Sequence, residues 1–245
     1  MKNTMMGTAL AGLMLLAAPA FAQAPSAAIT AAVADAGRPE ADKAADANRK
    51  PAEMLAFAGV QPGWKVAELA PGAGYFTRIF AKAVGANGKV FTFAPPPRNP
   101  PPAGAVPLSQ TYTNVTALQG AYADFAVPEP VDLVWTSRNY HDFRNALGDQ
   151  GIVAFNRKVL AALKPGGIYV VLDHAAADNA PADVGSTLHR IKESTVRADV
   201  EAAGFRFVGA SNAVRHPADD KTKRVFEGDV RGVTDQFVLK FQKPN

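Results

Sequence analysis

Apolar and polar positions along this chain fall into blocks whose period switches between two and about 3.6 residues. From Lys65 to Ala70 a short apolar run follows Trp64, interrupted only by Glu68, and reads as a buried strand. Pro71-Gly72-Ala73-Gly74 makes a tight turn. Phe76, Ile79, Phe80 and Val84 then recur at helical spacing and mark one face of an amphipathic helix. Strand, Gly-rich turn and helix are the first half of a βαβ unit. Such a turn sets backbone N–H groups at a helix start, where anions are favoured. Gly72 and Gly74 let the backbone bend and approach a ligand with no Cβ in the way. Glu68 lies near the carboxyl end of the strand, the end at which open α/β sheets bind ligands.

Ahead of that unit, residues 23–37 are Ala-rich with few large apolar groups and predict a poorly tied tail or a short helix. Glu40, Asp42, Lys43 and Asp46 predict a solvated helix over residues 39–48. Pro51 opens another helix, with Met54, Leu55, Phe57 and Ala58 facing inward, and Gly59 ends it. Further strands are predicted over 89–93, 114–119, 131–136, 168–172, 205–209 and 236–242. The fourth, Val131 to Thr136, is apolar apart from Asp132, as a central parallel strand should be. Helices are predicted over 155–163, stopped by Lys164-Pro165-Gly166-Gly167, and over 187–203, with Leu188, Ile191, Val196 and Val200 inward and Gly204 as cap. Strands interleaved with helices predict an α/β fold, a three-layer, doubly wound and mostly parallel sheet. Residues 214–232 form a charged excursion, and no internal repeat is present. Between Pro95 and Pro107, seven of thirteen residues are proline. Proline lacks the N–H a helix needs, so the crossover there is a shortened helix or an extended loop.

Charge and cysteine content remove several classes of function. Basic and acidic residues number 26 and 22, a net charge of +4, with the signs interspersed. No basic stripe carries aromatics, which argues against nucleic-acid binding. The absence of cysteine excludes a disulfide framework, a thiolate metal site and a cysteine nucleophile. Residues 1–22 read as a secretory signal peptide: Lys2 is the positive start, Ala9 to Ala18 the apolar run, and Ala20-Phe21-Ala22 the cleavage tripeptide before Gln23. That run is short for a membrane span and Pro19 interrupts it. The expected organisation is a leader over 1–22, an N-terminal tail and helices over 23–50, and one α/β domain over 51–245. The mature protein is expected in the periplasm or outside the cell.

The order Pro62-Gly63, Pro71-Gly72-Ala73-Gly74, Asp132-Leu133-Val134 and Leu163-Lys164-Pro165-Gly166-Gly167 resembles the class I S-adenosylmethionine-dependent methyltransferases. The resemblance covers nearly all of the chain after about Arg38. It is nearest to a group of exported bacterial "predicted methyltransferases", through Pro71 to Tyr75, Asn139-Tyr140-His141-Asp142, Asp173-His174, Leu188-His189-Arg190 and Arg231-Gly232-Val233-Thr234-Asp235. It implies a Rossmann-like, seven-stranded sheet with an antiparallel last strand, S-adenosylmethionine as cofactor and a small-molecule methyl acceptor. Cofactor contacts are then expected at Glu68, Ala70, Pro71, Gly72, Gly74 and Tyr75. In such a sheet His141 and Asp142, after the fourth strand, meet Asp173 and His174, at the end of the fifth, beside the reacting methyl group. Those four are the candidate catalytic residues, with His141 or His174 as base. Two His and two Asp could also form a divalent-metal set, or Asn139 to Asp142 could simply cap a helix. His189-Arg190 reads either as a substrate-anion contact or as a salt-bridged surface pair, and His216 as exposed. The pattern departs from the family at Ala94, where an acidic residue usually receives the ribose hydroxyls. Asp124 could reach an adenine amino group or serve only as a turn residue. An exported, non-catalytic ligand-binding protein that keeps the fold is therefore the rival reading. A nicotinamide dehydrogenase is disfavoured because the turn lacks G-x-G-x-x-G spacing.

Overall fold

The structure is a computed structural model that describes residues 24–97 and 106–245. The expected leader over 1–22 and residues 98–105 of the proline-rich segment lie outside the described residues. Seven strands form one sheet: β1 (Lys65–Leu69), β2 (Lys89–Ala94), β3 (Val115–Gln119), β4 (Val131–Ser137), β5 (Leu163–His174), β6 (Arg206–Ser211) and β7 (Gln236–Gln242). Their order is β3-β2-β1-β4-β5-β7-β6. The pairs from β3 to β5 are parallel, and β7 runs antiparallel to both β5 and β6. The doubly wound sheet with an antiparallel last strand is thus as expected. β1 is central and lies between β2 and β4, so its carboxyl end sits where strand order reverses, the usual ligand position in such sheets.

Strand alternation makes the three layers. Val66, Leu133, Trp135, Val170 and Leu172 face one core, which α1 (Ala27–Val33), α3 (Pro51–Ala58) and α4 (Tyr75–Val84) cover. Ala67, Val134, Tyr169 and Val171 face the other, covered by α6 (Tyr140–Ala162) and α8 (Glu193–Glu201). Trp135 anchors the first core, fully buried with its ring 4.8 Å from Phe76 and 5.6 Å from Phe80. The segment read as a poorly tied tail or short helix is the helix α1, capped by Ser26 and tied down by buried Ile29 and Ala32.

Two helical expectations need correction. The helix expected over 155–163 starts much earlier, at Tyr140, and bends at Gly148, whose φ of 68° and ψ of 179° are not helical. Gly148, Gly151 and the charges around them obscure the apolar spacing. The single helix expected over 187–203 is two: α7 (Val184–Leu188) and α8. Between them His189 is left-handed with φ 55°, and Ile191 pairs with Ala175 in parallel, its N–H on the His174 carbonyl at 2.9 Å. Arg190 enforces the break. Its guanidinium is wholly buried, bonded to both Asp219 oxygens at 2.7 and 3.1 Å and to the Ala175 and Lys223 carbonyls. A buried guanidinium needs such a cage, and a continuous helix could not deliver it. Arg190 is therefore interior and not half of a surface pair, while His189 stays half-buried. His216, expected to be exposed, is half-buried, and its N–H donates to Asp235 at 2.9 Å.

Candidate functional site

The turn after β1 bends through left-handed backbone at Ala70 (φ 51°), Gly72 (φ 57°) and Gly74 (φ 82°). A Cβ on Gly72 would project into open space, whereas one on Gly74 would lie 2.1 Å from Leu108, so the two glycines have different reasons. Among the described residues, the Gly72 and Ala73 N–H groups donate to no protein atom, leaving two donors beside the start of α4. Tyr75, the first residue of α4, donates its hydroxyl to Asp46 at 2.5 Å. Asp46 lies on α2 (Glu40–Arg49), takes a bidentate bond from Arg38 and thereby fixes α2 across the turn. Asp42 of the same helix holds Arg78 at 3.0 Å. The helix read as solvated thus buries no side chain, yet its acids grip α4. Glu68 stands apart from the cleft lining: it is buried and accepts from Thr77 at 2.5 Å, and burial pushes its carboxyl up to about 7.

One strand over, Asn139 ties the two strand ends together by donating to the carbonyls of Ser137 at 2.6 Å and Ala70 at 3.2 Å. That places His141 in the first turn of α6, against the end of β5. Asp173 is fully buried and accepts four bonds: from the His141 ring Nδ1 at 2.9 and 3.1 Å, from the His141 N–H at 2.8 Å, and from the His174 N–H at 2.8 Å. Burial alone would raise the Asp173 carboxyl, but His141 and these bonds outweigh it and bring it down. For His141, burial opposes the charged ring; the Asp173 charge and bond prevail, and its pKa rises. The His141 Nε2 is left toward the cleft, 3.5 Å from Asp142 Oδ1.

His174 shares the rim but not the role. Its Nδ1 meets the Thr234 hydroxyl at 2.7 Å, and burial drives its pKa down to about 3. The two histidines that look alike in the sequence are pushed in opposite directions around one carboxylate.

These elements enclose a cleft of about 580 Å³ at the carboxyl ends of β1, β4 and β5. Ala70, Pro71, Gly72 and Tyr75 line it from the turn, and His141, Asp142 and His174 from the opposite rim; Gly74 and Asp173 stand behind it. It does not extend to Ala94. Among the lining residues, Arg49 and Arg138 were not singled out by the sequence, whereas His189 was, as a substrate-anion contact or a surface pair. Arg138 was within reach, because it directly follows the apolar strand β4 at its ligand-binding end. Ala70, Arg138 and His189 are also three of the five non-glycine residues with positive φ among the described residues, an excess that points to a constrained site.

His141, Asp142 and His189 bring one ligand atom each within 4.8 Å of one another, and Asp173 would support His141 from behind as in metal centres. Arg224, however, bonds the His189 Nε2 at 3.3 Å. A guanidinium can only donate, so that contact puts the ring proton on Nδ1, the atom facing Asp142 at 3.8 Å. With its Nδ1 protonated and its Nε2 on Arg224, His189 offers no lone pair to an ion shared with His141 and Asp142.

No protein-family model matches the chain, and no curated protein sequence matches it. Solved structures do share its architecture. A SAM-dependent methyltransferase from Aquifex aeolicus is 17% identical with a TM-score of 0.54, covering 84% of this chain and 98% of that one. The N-methyltransferase NodS from Bradyrhizobium japonicum is 14% identical with a TM-score of 0.56, over 81% and 97%. The 1,6-didemethyltoxoflavin-N1-methyltransferase from Burkholderia thailandensis, solved with 1,6-didemethyltoxoflavin and S-adenosylhomocysteine bound, is 17% identical with a TM-score of 0.55, over 84% and 81%. At these identities the likeness is one of fold, and the fold of this chain is that of the class I methyltransferases.

Proposed function

We propose that the protein is an S-adenosylmethionine-dependent methyltransferase acting on a small molecule, with His141 as general base. The observation that carries this reading is the Asp173–His141 pair at 2.9 Å, whose free ring nitrogen faces the cleft opened by the Gly72 turn. The turn suits the cofactor's amino-acid end: two unpaired N–H donors, a helix N-terminus and a glycine whose missing Cβ leaves room. S-adenosylmethionine supplies an activated methyl group on a sulfonium. His141 Nε2 would take the proton of the acceptor's O–H or N–H as the acceptor bonds to the methyl carbon and the carbon–sulfur bond breaks, with S-adenosylhomocysteine as the leaving group. The buried Asp173 carboxylate stabilises the resulting imidazolium and fixes the ring's tautomer. His174, neutral and weakly basic, fits a packing or positioning role better than that of base. Asp142 is within reach of His141 and lies half-exposed at the mouth.

Calorimetric titration of the mature protein with S-adenosylmethionine and S-adenosylhomocysteine tests this. Saturable binding is expected, and its absence for both would overturn the reading. One observation favours the rival, an exported ligand-binding protein without catalysis. β2 ends in Ala94, and no described side chain there offers a carboxylate to a ribose. Residues 1–22 are read as a cleaved export signal ahead of the 51–245 domain. N-terminal sequencing from cell fractions should find Gln23 first in the periplasm, and an intact Met1 in the cytosol would refute export.

A further inference from the structure

Outside the cleft lining, Arg38 pairs with Asp46, Arg78 with Asp42 and Arg190 with Asp219. Arg49, Arg138 and the exposed Arg231, which line the cleft, have no carboxylate partner among the described residues. The Arg49 guanidinium lies over the Tyr75 ring at 3.8 Å, and its one polar contact is a long 3.4 Å bond to the Ser137 hydroxyl. Arg138 makes no side-chain hydrogen bond or ion pair among the described residues; Asp173 acts on it only at a distance. Its backbone is held instead, left-handed with φ 63° and its N–H on the Leu172 carbonyl at 2.7 Å. Both guanidinium groups line the same cleft and are partly desolvated, and burial lowers the pKa of each. Two like charges held together out of water are unfavourable unless an anion comes from outside.

The reading proposed above accounts for one such anion. The cofactor's own carboxylate belongs at the Gly72 turn, next to Tyr75 and so to Arg49. Arg138 lies at the end of β4, next to the Ser137 that Arg49 reaches and three residues before His141. Phe226, also in the lining and 60% exposed, meets the His189 ring edge-on at 5.0 Å and gives the mouth an apolar flank. We infer that the methyl acceptor is itself a small organic anion with a flat apolar body, its anionic group held by Arg138, its ring beside Phe226 and its nucleophile at His141. This rests on the methyltransferase reading for the identity of the acceptor, but the anion site itself does not.

The test uses the full mature protein, first saturated with S-adenosylhomocysteine and then titrated with benzoate, inorganic phosphate and benzamide, a neutral isostere of benzoate. Benzoate should bind saturably and benzamide at least tenfold more weakly; phosphate binding in place of benzoate would still support an anion site. Arg138→Gln should lose at least tenfold in benzoate affinity, keep S-adenosylhomocysteine affinity within about twofold and melt within a few degrees of wild type. Arg138→Lys should recover part of the loss. Equal binding of benzoate and benzamide, or an Arg138→Lys protein no different from wild type alongside an unaffected Arg138→Gln, would overturn the inference. So would loss of benzoate binding on S-adenosylhomocysteine saturation, because Arg138 would then be serving the cofactor. Failure of S-adenosylhomocysteine to bind at all sinks the methyltransferase reading alone; benzoate binding to the free protein through Arg138 would leave the anion site standing.

Discussion

At the carboxyl ends of β1, β4 and β5 the chain sets buried polar groups close together: His141, Asp173 and His174, with the free N–H groups of the Gly72 turn opposite. At the ends of β2 and β3 the described residues present Ala94, three prolines, an exposed Gln119 and an exposed Asp124, none both polar and buried. Burying a charge or a polar side chain costs several kcal/mol unless partners satisfy it, so such groups persist where something depends on them. The contrast implies that whatever enters this cleft is gripped from one side. For a nucleoside-containing cofactor, affinity would come from its amino-acid end rather than from its ribose.

The largest effect should come from breaking the rich side at its base. His141→Ala should reduce methyl transfer by about 10²- to 10⁴-fold while leaving cofactor binding nearly unchanged. His174→Ala, on the same rim, should cost far less turnover. Equal losses for the two would erase the distinction drawn from their opposite pKa shifts. The pH profile sharpens the point. A base must be neutral to accept a proton, and the His141 pKa is raised, so activity should climb with pH through a value above 6.5. Asp173→Asn removes the charge that holds it up and should move that limb to lower pH, besides destabilising the fold by leaving donors ill-matched.

Next comes Gly72→Val, which puts a branched side chain into the open approach and should weaken S-adenosylhomocysteine binding at least about 100-fold. Valine is also strained at φ 57°, by roughly 1–2 kcal/mol. Gly72→Ala carries the same strain with little bulk and separates the two causes. Circular dichroism should show both variants folded. Wild-type binding by Gly72→Val would mean that the cleft's occupant does not approach the turn.

How much of this could be read from residues alone follows the same divide between local and distant causes. β1, its glycine turn and α4 were legible because the periods two and 3.6 are local signals, and β7 was legible to the residue. The first half of α6 was hidden because Gly148 breaks its face. The break at His189 was hidden because its cause, Asp219, lies 29 residues beyond Arg190. His141 and Asp173, 32 residues apart, were paired only through the strand order that a resemblance supplied. No local pattern distinguishes His141 from His174; the burial that drives His174 down comes from the fold around it. Arg138 needed only the rule that strand ends bind ligands.

A smaller effect tests the rich side from beneath. Glu68 titrates near 7 in the folded protein, against about 4.5 for an ordinary glutamate, because it is buried under the turn. Between those values the folded state holds more protons than the unfolded, so this group's contribution makes stability fall as pH rises from about 4.5 to 7. His174 opposes it, since its folded pKa of about 3 makes stability rise with pH up to about 6.5. Glu68→Gln removes the first contribution and keeps an acceptor for Thr77. It should be more stable than wild type by about 3 kcal/mol at pH 8 and hardly more stable at pH 4.5, as read from urea unfolding. A pH-independent difference would mean that Glu68 is not buried in its charged form.

The smallest effect repairs the poor side. Ala94 ends β2 half-buried, with its carbonyl accepting from Gly120 at 3.2 Å, so the strand end is in place and only the carboxylate is missing. Ala94→Asp supplies an acceptor without altering the turn across from it. A charge-assisted hydrogen bond contributes about 1.5–3 kcal/mol, so S-adenosylmethionine should bind at least about tenfold more tightly. S-adenosylmethionine and methionine, titrated side by side into both proteins, locate the gain: methionine lacks the ribose and should bind the two alike. If methionine gains as well, the aspartate acts through the field of the cleft and not through a ribose contact. If Ala94→Asp weakens binding of S-adenosylmethionine alone, the Pro95–Pro107 segment already takes the space where a ribose would lie. The one-sided grip would then be built into the protein by exclusion, and the reading as a ligand-binding protein with a different occupant would gain over that of a methyltransferase.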